Sequence, residues 1–321
     1  MEFTSLGRSG LSVSRLCLGT MNFGAEIDER DSFAILDRAL DAGVNFLDTA
    51  NTYGGRLGVG ATEEIVGRWL ARDRSHRDQM VVATKVYGRM SAAANDGGLC
   101  ARHIRKACED SLRRLQTDRI DLYQLHHIDR AVPIDEVWEA LELLLSQGKI
   151  IYCGSSNFAG WHIATAQAAA ARRNRLGLVS EQSLYNLVER GLEREVIPAA
   201  EFYGVGILAW SPLHGGLLGG MLAERGSRRA GGRAAETLPA VRPQLERYEE
   251  FCEKLGESPA AVALAWLLTR PQITAPIIGP RTLDQLEGAL SAIDVKLEDA
   301  ALAELNEIFP GHLTAPEDYA F

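Results

Sequence analysis

Three observations in the sequence predict an α/β fold in which eight strand–helix units close into a barrel. Short β-like runs recur eight times, at residues 15–18, 45–48, 80–85, 120–126, 150–155, 178–182, 206–211 and 273–278. A helical pattern of apolar residues separates each of these from the next. The third observation concerns the rival, an open doubly wound sheet, which wants Gly-x-Gly-x-x-Gly after its first strand. Leu18-Gly19-Thr20-Met21-Asn22-Phe23-Gly24 does not supply it. The expectation is a (β/α)8 TIM barrel over residues 1–321 as a single domain, at about 40 residues per unit.

Each element has its own signal. Residues 3–6 and 11–14 alternate in polarity around Gly7-Arg8-Ser9-Gly10, which reads as an N-terminal β-hairpin. Helices are expected at 29–42, 62–71, 101–115, 134–147, 161–173 and 192–203, then a more polar one near 241–254. Three more follow at 259–268, 283–292 and 298–308. Thr62 precedes Glu63 and Glu64, whose charges suit a helix N-terminus, and Ser258-Pro259 is a cap followed by proline at the first helical position. Gly43 and Gly148 stand where helices must turn into strands. Residues 215–239 break the rhythm, with glycines and with Arg225, Arg228, Arg229 and Arg233. They are expected to form a long loop after strand seven, a mobile lid rooted where barrels bind phosphate.

Composition excludes several classes of function. With 34 Lys plus Arg against 43 Asp plus Glu, the net charge of −9 opposes nucleic-acid binding. The longest mainly apolar stretch, around residues 260–268, is about half of what a bilayer core requires, so no membrane span is expected. Met1-Glu2-Phe3-Thr4 shows no basic segment followed by an apolar run. Five cysteines without a Cys-x-x-Cys pair fit reduced, packed thiols, and a cytoplasmic location is expected. The histidines lack metal-ligand spacing, so no metal is expected.

Strand parity identifies a candidate site, because successive residues face opposite sides of a sheet. Phe46 and Asp48 share a face, as do Val81, Ala83 and Lys85, and Leu122, Gln124 and His126. A carboxylate, an ammonium and an imidazole then project inward at the carboxyl ends of strands two, three and four, the rim where barrels build active sites. Tyr53, in the loop after Asp48, can bend over the same mouth. Opposite charges about 4 Å apart attract by about 4 kcal/mol at an effective dielectric of about 20, so a lysine beside a phenol favours proton release from it. Asp48 would hold Lys85, although such a pair alone also suits a structural ion pair. His126 could orient a carbonyl oxygen, whereas the adjacent His127 must face away.

The same residues carry a resemblance. The run 43–50, Gly-Val-Asn-Phe-Leu-Asp-Thr-Ala, followed by Tyr53-Gly54, Glu63 and Gly67, resembles the first signature of the aldo-keto reductases, NADPH-dependent carbonyl reductases on this barrel. Residues 109–115 leading through 118–123 to His126 resemble the second. Gly154-Ser155-Ser156-Asn157-Phe158, Gln182 with Tyr185-Asn186, and Leu208-Ala209-Trp210-Ser211-Pro212-Leu213 resemble the cofactor strands. The likeness runs from about residue 3 to residue 290, and its branch is the bacterial one related to the potassium-channel β subunits.

The resemblance implies that Asp48, Tyr53, Lys85 and His126 form a catalytic tetrad, with Tyr53 as proton donor to the carbonyl oxygen. It implies NADPH/NADP as cofactor, with Ser156, Asn157 and Gln182 at the carboxamide and Trp210 stacked on the nicotinamide. Thr20 and Met21 would line the same mouth. Ser211, Leu213 and Gly215 would carry the pyrophosphate, and Gly279, Arg281 and Gln285 the adenosine, with Arg281 on the 2′-phosphate. Gly220-Met221 replaces the Gly-Lys of many relatives, and Gly288-Ala289 stands where many have Glu-Asn. Adenosine binding is therefore expected to rely on Arg281 and a lid arginine. The implied activity is reduction of aldehydes or ketones, in a direction reversible toward alcohol dehydrogenation. The alternatives are reduction of keto or enoyl groups on nucleotide-linked deoxysugars, and a cofactor-binding regulatory subunit with little turnover.

Overall fold

The N-terminal hairpin forms as its alternation requires: β1 (Phe3–Ser5) and β2 (Ser12–Ser14) pair antiparallel in the computed structural model, which describes residues 1–222 and 233–320. Eight parallel strands then close the barrel: β3 (Cys17–Gly19), β4 (Phe46–Asp48), β5 (Val81–Val86), β6 (Ile120–Leu125), β7 (Ile150–Ser156), β8 (Leu178–Leu184), β9 (Gly206–Trp210) and β10 (Ile273–Ile278). They follow one another around the wall, and β10 pairs with both β9 and β3. This is a (β/α)8 TIM barrel.

Period-two alternation divides the apolar residues into two layers. Phe46, Val81, Ala83, Leu122, Leu208 and Ala275 fill the interior, and Leu6 and Val13 of the hairpin join them there. The alternate positions, among them Leu47, Val82 and Tyr123, pack outward with Trp69, Trp138 and Trp266 against the helices. Register irregularities in β8 and β10 reset this alternation, and the one in β8 bears on the site. β7 and β8 pair Cys153 with Leu178 but Gly154 with Ser180, so Val179 is an extra residue in β8.

The surrounding helices are α1 (Glu29–Asp41), α2 (Ala61–Arg72), α3 (Arg74–Gln79), α4 (Ala101–Leu115), α5 (Ile134–Ser146), α6 (Gly160–Arg172) and α7 (Val196–Tyr203). From residue 233 onward come α8 (Arg233–Leu255), α9 (Pro259–Thr269), α10 (Leu283–Leu290), α11 (Asp299–Ile308) and the short α12 (Glu317–Ala320). Ser258 caps α9 by accepting from the Ala261 N–H, with Pro259 at the first turn. Gly43 and Gly148 adopt φ of 84° and 68° at the turns into β4 and β7, which L side chains resist.

Several elements differ from the sequence expectation. α2 starts behind Gly60 (φ 90°), and Thr62 does not cap it: its hydroxyl donates to the Phe23 carbonyl at 2.8 Å. The helix expected at 192–203 is a 3-10 turn, Gly191–Glu193, followed by α7, because Glu193 turns inward to Arg190 (2.8 Å) and Tyr185 (2.6 Å). The described parts of the range 215–239 are not all loop. His214–Gly219 forms 3-10 turns, and α8 begins at Arg233 and runs through Pro239 and Pro243. Each proline removes a backbone donor. The offset is a continuous apolar stripe: Ala234, Leu245, Tyr248 and Cys252 are buried, and Leu238 and Val241 pack beside them. Arg225, Gly226, Arg228, Arg229, Gly231 and Gly232, where a lid is expected from sequence, lie outside the described residues. Among the described residues, no helix is long and apolar enough to cross a membrane. All five cysteines are unpaired, four of them buried.

Candidate active site

The carboxyl ends of β4, β5 and β6 bring a carboxylate, an ammonium and an amide into the barrel mouth because register and parity coincide there. Asp48 pairs with Ala83, and Lys85 with Gln124, so Asp48, Lys85 and Gln124 stand at neighbouring heights on the inner wall. Lys85 has no exposed surface and Asp48 is 2% exposed. The Lys85 Nζ donates to Asp48 Oδ2 at 2.5 Å, to the Thr49 carbonyl at 2.9 Å and to the Tyr53 hydroxyl at 3.1 Å. Burial pulls the Lys85 ammonium down, but Asp48 and Tyr53 more than reverse this and hold it above its ordinary value.

Asp48 is fixed from its other side as well. Its Oδ1 accepts from Gln124 Nε2 at 3.0 Å and Gln182 Nε2 at 2.9 Å, so every polar edge of this buried carboxylate is matched. Tyr53 reaches the mouth from a tight loop whose backbone is tied down: its N–H donates to the Ala50 carbonyl, and its own carbonyl accepts from Gly60 and Thr62. Gly54 follows with φ 154°, and a Cβ there would lie 1.9 Å from the Gly58 carbonyl oxygen, so only glycine fits after the tyrosine. His126, one residue past β6, meets Tyr53 edge to face, with ring centroids 5.9 Å apart. Burial, with Lys85 and His127 nearby, pushes its imidazole down to about 3, so it is neutral at pH 7 and presents one ring N–H. His127 turns away and packs on Tyr87.

A second group of residues lines the wall from β7 to β9. Asn157 sits at φ 58°; its Nδ2 donates to the His126 carbonyl (3.1 Å) and Ser156 Oγ (2.9 Å), and its Oδ1 accepts from Trp210 Nε1 (3.1 Å). Thr20 is buried, with its hydroxyl on the Asp48 carbonyl at 3.0 Å, and Met21 beside it is 61% exposed. After β9 the backbone turns through positive φ at Ser211, His214, Gly215 and Gly216, and Ser211 Oγ accepts from the Gly215 N–H at 3.2 Å. Leu213 and His214 form the root of this turn, and His214 Nε2 lies 3.3 Å from Thr237 of α8. The Gly279 carbonyl accepts from Asn22 at 2.9 Å. Arg281 and Gln285 are exposed at the start of α10, where the Arg281 N–H donates to Gln285 Oε1 at 2.9 Å.

The structure therefore brings Asp48, Tyr53, Lys85 and His126 into one cluster and sets Ser156, Asn157 and Trp210 on one linked network. Gln182 differs from expectation in one respect: its NH2 is committed to Asp48 and to Gln124 Oε1 (3.2 Å), which leaves its oxygen as the atom for any further contact. Sequence reasoning gave no role to Gln124, although its inward parity beside Lys85 was the available signal. It also gave none to Glu181, which the extra residue in β8 turns away from the interior.

The chain belongs to the Aldo/keto reductase family, whose pattern it matches over residues 15–309. Several of its relatives are oxidoreductases by name, and others are named as channel subunits. It is 51% identical to the uncharacterized oxidoreductase YrpG of Bacillus subtilis, over 100% of both chains. It is 34% identical to versiconal hemiacetal acetate reductase of Aspergillus parasiticus, over 96% of each. It is 32% identical to a probable voltage-gated potassium channel subunit beta of Oryza sativa, over 92% of each. The protein is thus an oxidoreductase of the aldo/keto reductase type.

Proposed function

We propose that this protein is a cytoplasmic, NADPH-dependent reductase of small aldehydes or ketones, with residues 1–321 acting as one barrel domain. The observation that carries the reading is the buried Lys85 ammonium held between the Asp48 carboxylate (2.5 Å) and the Tyr53 hydroxyl (3.1 Å). Tyr53 is the proton donor: its O–H bond breaks as the carbonyl oxygen gains charge, and Lys85 stabilises the resulting phenolate. Asp48 keeps Lys85 in place and compensates its burial. The neutral imidazole of His126 donates to the carbonyl oxygen and aligns it with Tyr53. Tyr53 is only half-buried, so it regains its proton from solvent.

The residues fit a nicotinamide dinucleotide. Beside the Trp210 ring edge stands the Asn157 amide with the Ser156 hydroxyl, donors and acceptors of the kind a carboxamide requires, and Gln182 has its oxygen left to contribute. Positive-φ backbone after β9 brings Ser211 Oγ and the Gly215 amide together for a pyrophosphate, and the exposed Arg281 guanidinium suits a 2′-phosphate. When bound, NADPH supplies the hydride that the carbonyl carbon accepts.

The likeness to a channel β subunit favours a second reading, a regulatory subunit that binds cofactor with little turnover. NADPH consumption with a panel of aliphatic and aromatic aldehydes separates the two. Turnover on members of the panel is the expected result. Cofactor retained through gel filtration, with no turnover on any aldehyde, would favour the regulatory subunit.

A further inference from the structure

Glu181 is a carboxylate with no exposed surface on the outer side of β8, and the chemistry at the mouth makes no use of it. Its place follows from the irregularity in the strand. With Val179 as an extra residue, Gln182 enters the barrel and Glu181 is turned out behind the wall, level with the end of β7. There Oε2 accepts from Ser155 Oγ at 2.5 Å, and Oε1 accepts from Ser183 Oγ at 2.6 Å and from the Phe158 N–H at 3.0 Å. Burial pushes its carboxyl up to about 7, against the pull of these donors.

The Phe158 N–H lies in the turn that forces Asn157 into its left-handed conformation, an arrangement that costs backbone energy and needs outside support. The Asn157 N–H is itself held by the Gln182 carbonyl at 3.0 Å. Asn157 in turn joins the His126 backbone to the Trp210 ring through one amide. The buried carboxylate thus acts on the mouth through one turn.

We propose that Glu181 is a positioning residue for the nicotinamide end of the cofactor site: from behind the wall it fixes the Asn157–Phe158 turn and so sets the direction of the Asn157 amide. This rests on the reading above that Asn157 meets the carboxamide. A role confined to stability would alter the whole protein and would not distinguish one part of the cofactor from another.

The test measures binding of NADPH and of 2′-phospho-ADP-ribose, the same molecule without its nicotinamide, to the full-length parent and three variants. Glu181→Ala is expected to lower NADPH affinity by about tenfold, the loss of one hydrogen bond, and to leave 2′-phospho-ADP-ribose within about twofold. Glu181→Gln keeps an acceptor of the same shape for Phe158, folds more readily, and is expected to show a smaller loss of the same selectivity. Asn157→Ala is the reference for the site. If it weakens NADPH selectively while both Glu181 variants weaken the two ligands equally or neither, the positioning role is overturned. If Asn157→Ala holds both ligands as tightly as the parent, the carboxamide assignment fails and the proposal falls with it.

Discussion

Replacing Asp48 with Asn tests whether Lys85 is charged inside the barrel. The Lys85 Nζ has no exposed surface, and Asp48 Oδ2 at 2.5 Å is its acidic partner. In the variant the ammonium keeps only neutral partners: the Thr49 carbonyl at 2.9 Å, the Tyr53 hydroxyl at 3.1 Å and the amide oxygen of the new side chain. Breaking a buried pair from one side costs about 3–5 kcal/mol, a large part of the roughly 5–15 kcal/mol that keeps a protein folded. Lys85 is held above its ordinary 10.5, so the pair's contribution is fully present at pH 7 and is lost only as pH rises beyond that value. Equilibrium urea unfolding at pH 7 reads the difference. The expected loss for Asp48→Asn is about 3–5 kcal/mol, more than half of it recovered when Lys85→Met is added, since the uncompensated charge then disappears. A single variant within about 1 kcal/mol of the parent, or a double variant no more stable than the single, would refute a charged, paired lysine.

Further expectations concern packing, burial and cofactor choice. Gly67→Ala would place a Cβ 2.0 Å from the Arg114 carbonyl oxygen, so α2 and α4 must separate; thermal unfolding should show a loss of about 1–3 kcal/mol. Glu181→Gln should change the pH dependence of stability. With the folded carboxyl at about 7 against an ordinary 4.5, its contribution is present below pH 4.5 and is lost as pH rises through 7. The parent should therefore lose about 3 kcal/mol relative to Glu181→Gln over that window, and parallel curves for the two would exclude the buried, raised carboxyl. Arg281→Ala should weaken NADPH by roughly tenfold and leave NADH unchanged; equal affinity of the parent for both cofactors would remove the 2′-phosphate role.

The barrel was legible in the alternation of strand and helix patterns, the charged part of its mouth in the period of two of a strand, and the cofactor wall only through the family resemblance. Parity alone sets Asp48, Lys85 and Gln124 inward, and the structure has them there. What parity cannot register is a one-residue irregularity. The extra Val179 exchanges the faces of the residues beyond it, and with them the roles of Glu181 and Gln182. Glu63 shows a second limit. Its local signal is a charge suited to a helix start, which says nothing of burial, yet it is fully buried, accepting from Thr84 at 2.5 Å and pairing with Arg114 at 2.7 Å. Its position depends on the close contact of α2 with α4 at Gly67, a tertiary fact that local pattern does not contain. Pro239 and Pro243 similarly argue against a helix locally, and the apolar stripe of α8 outweighs them only once it packs.

The central claim is that Tyr53 gives the proton. Tyr53→Phe removes one oxygen and keeps the ring that packs on His126 and Lys85. The measurement is single-turnover NADPH oxidation with a reactive aldehyde, beside NADPH binding to the same variant. The expected rate is lower by roughly 100- to 10,000-fold, with cofactor affinity unchanged. A rate within a few-fold of the parent would contradict it.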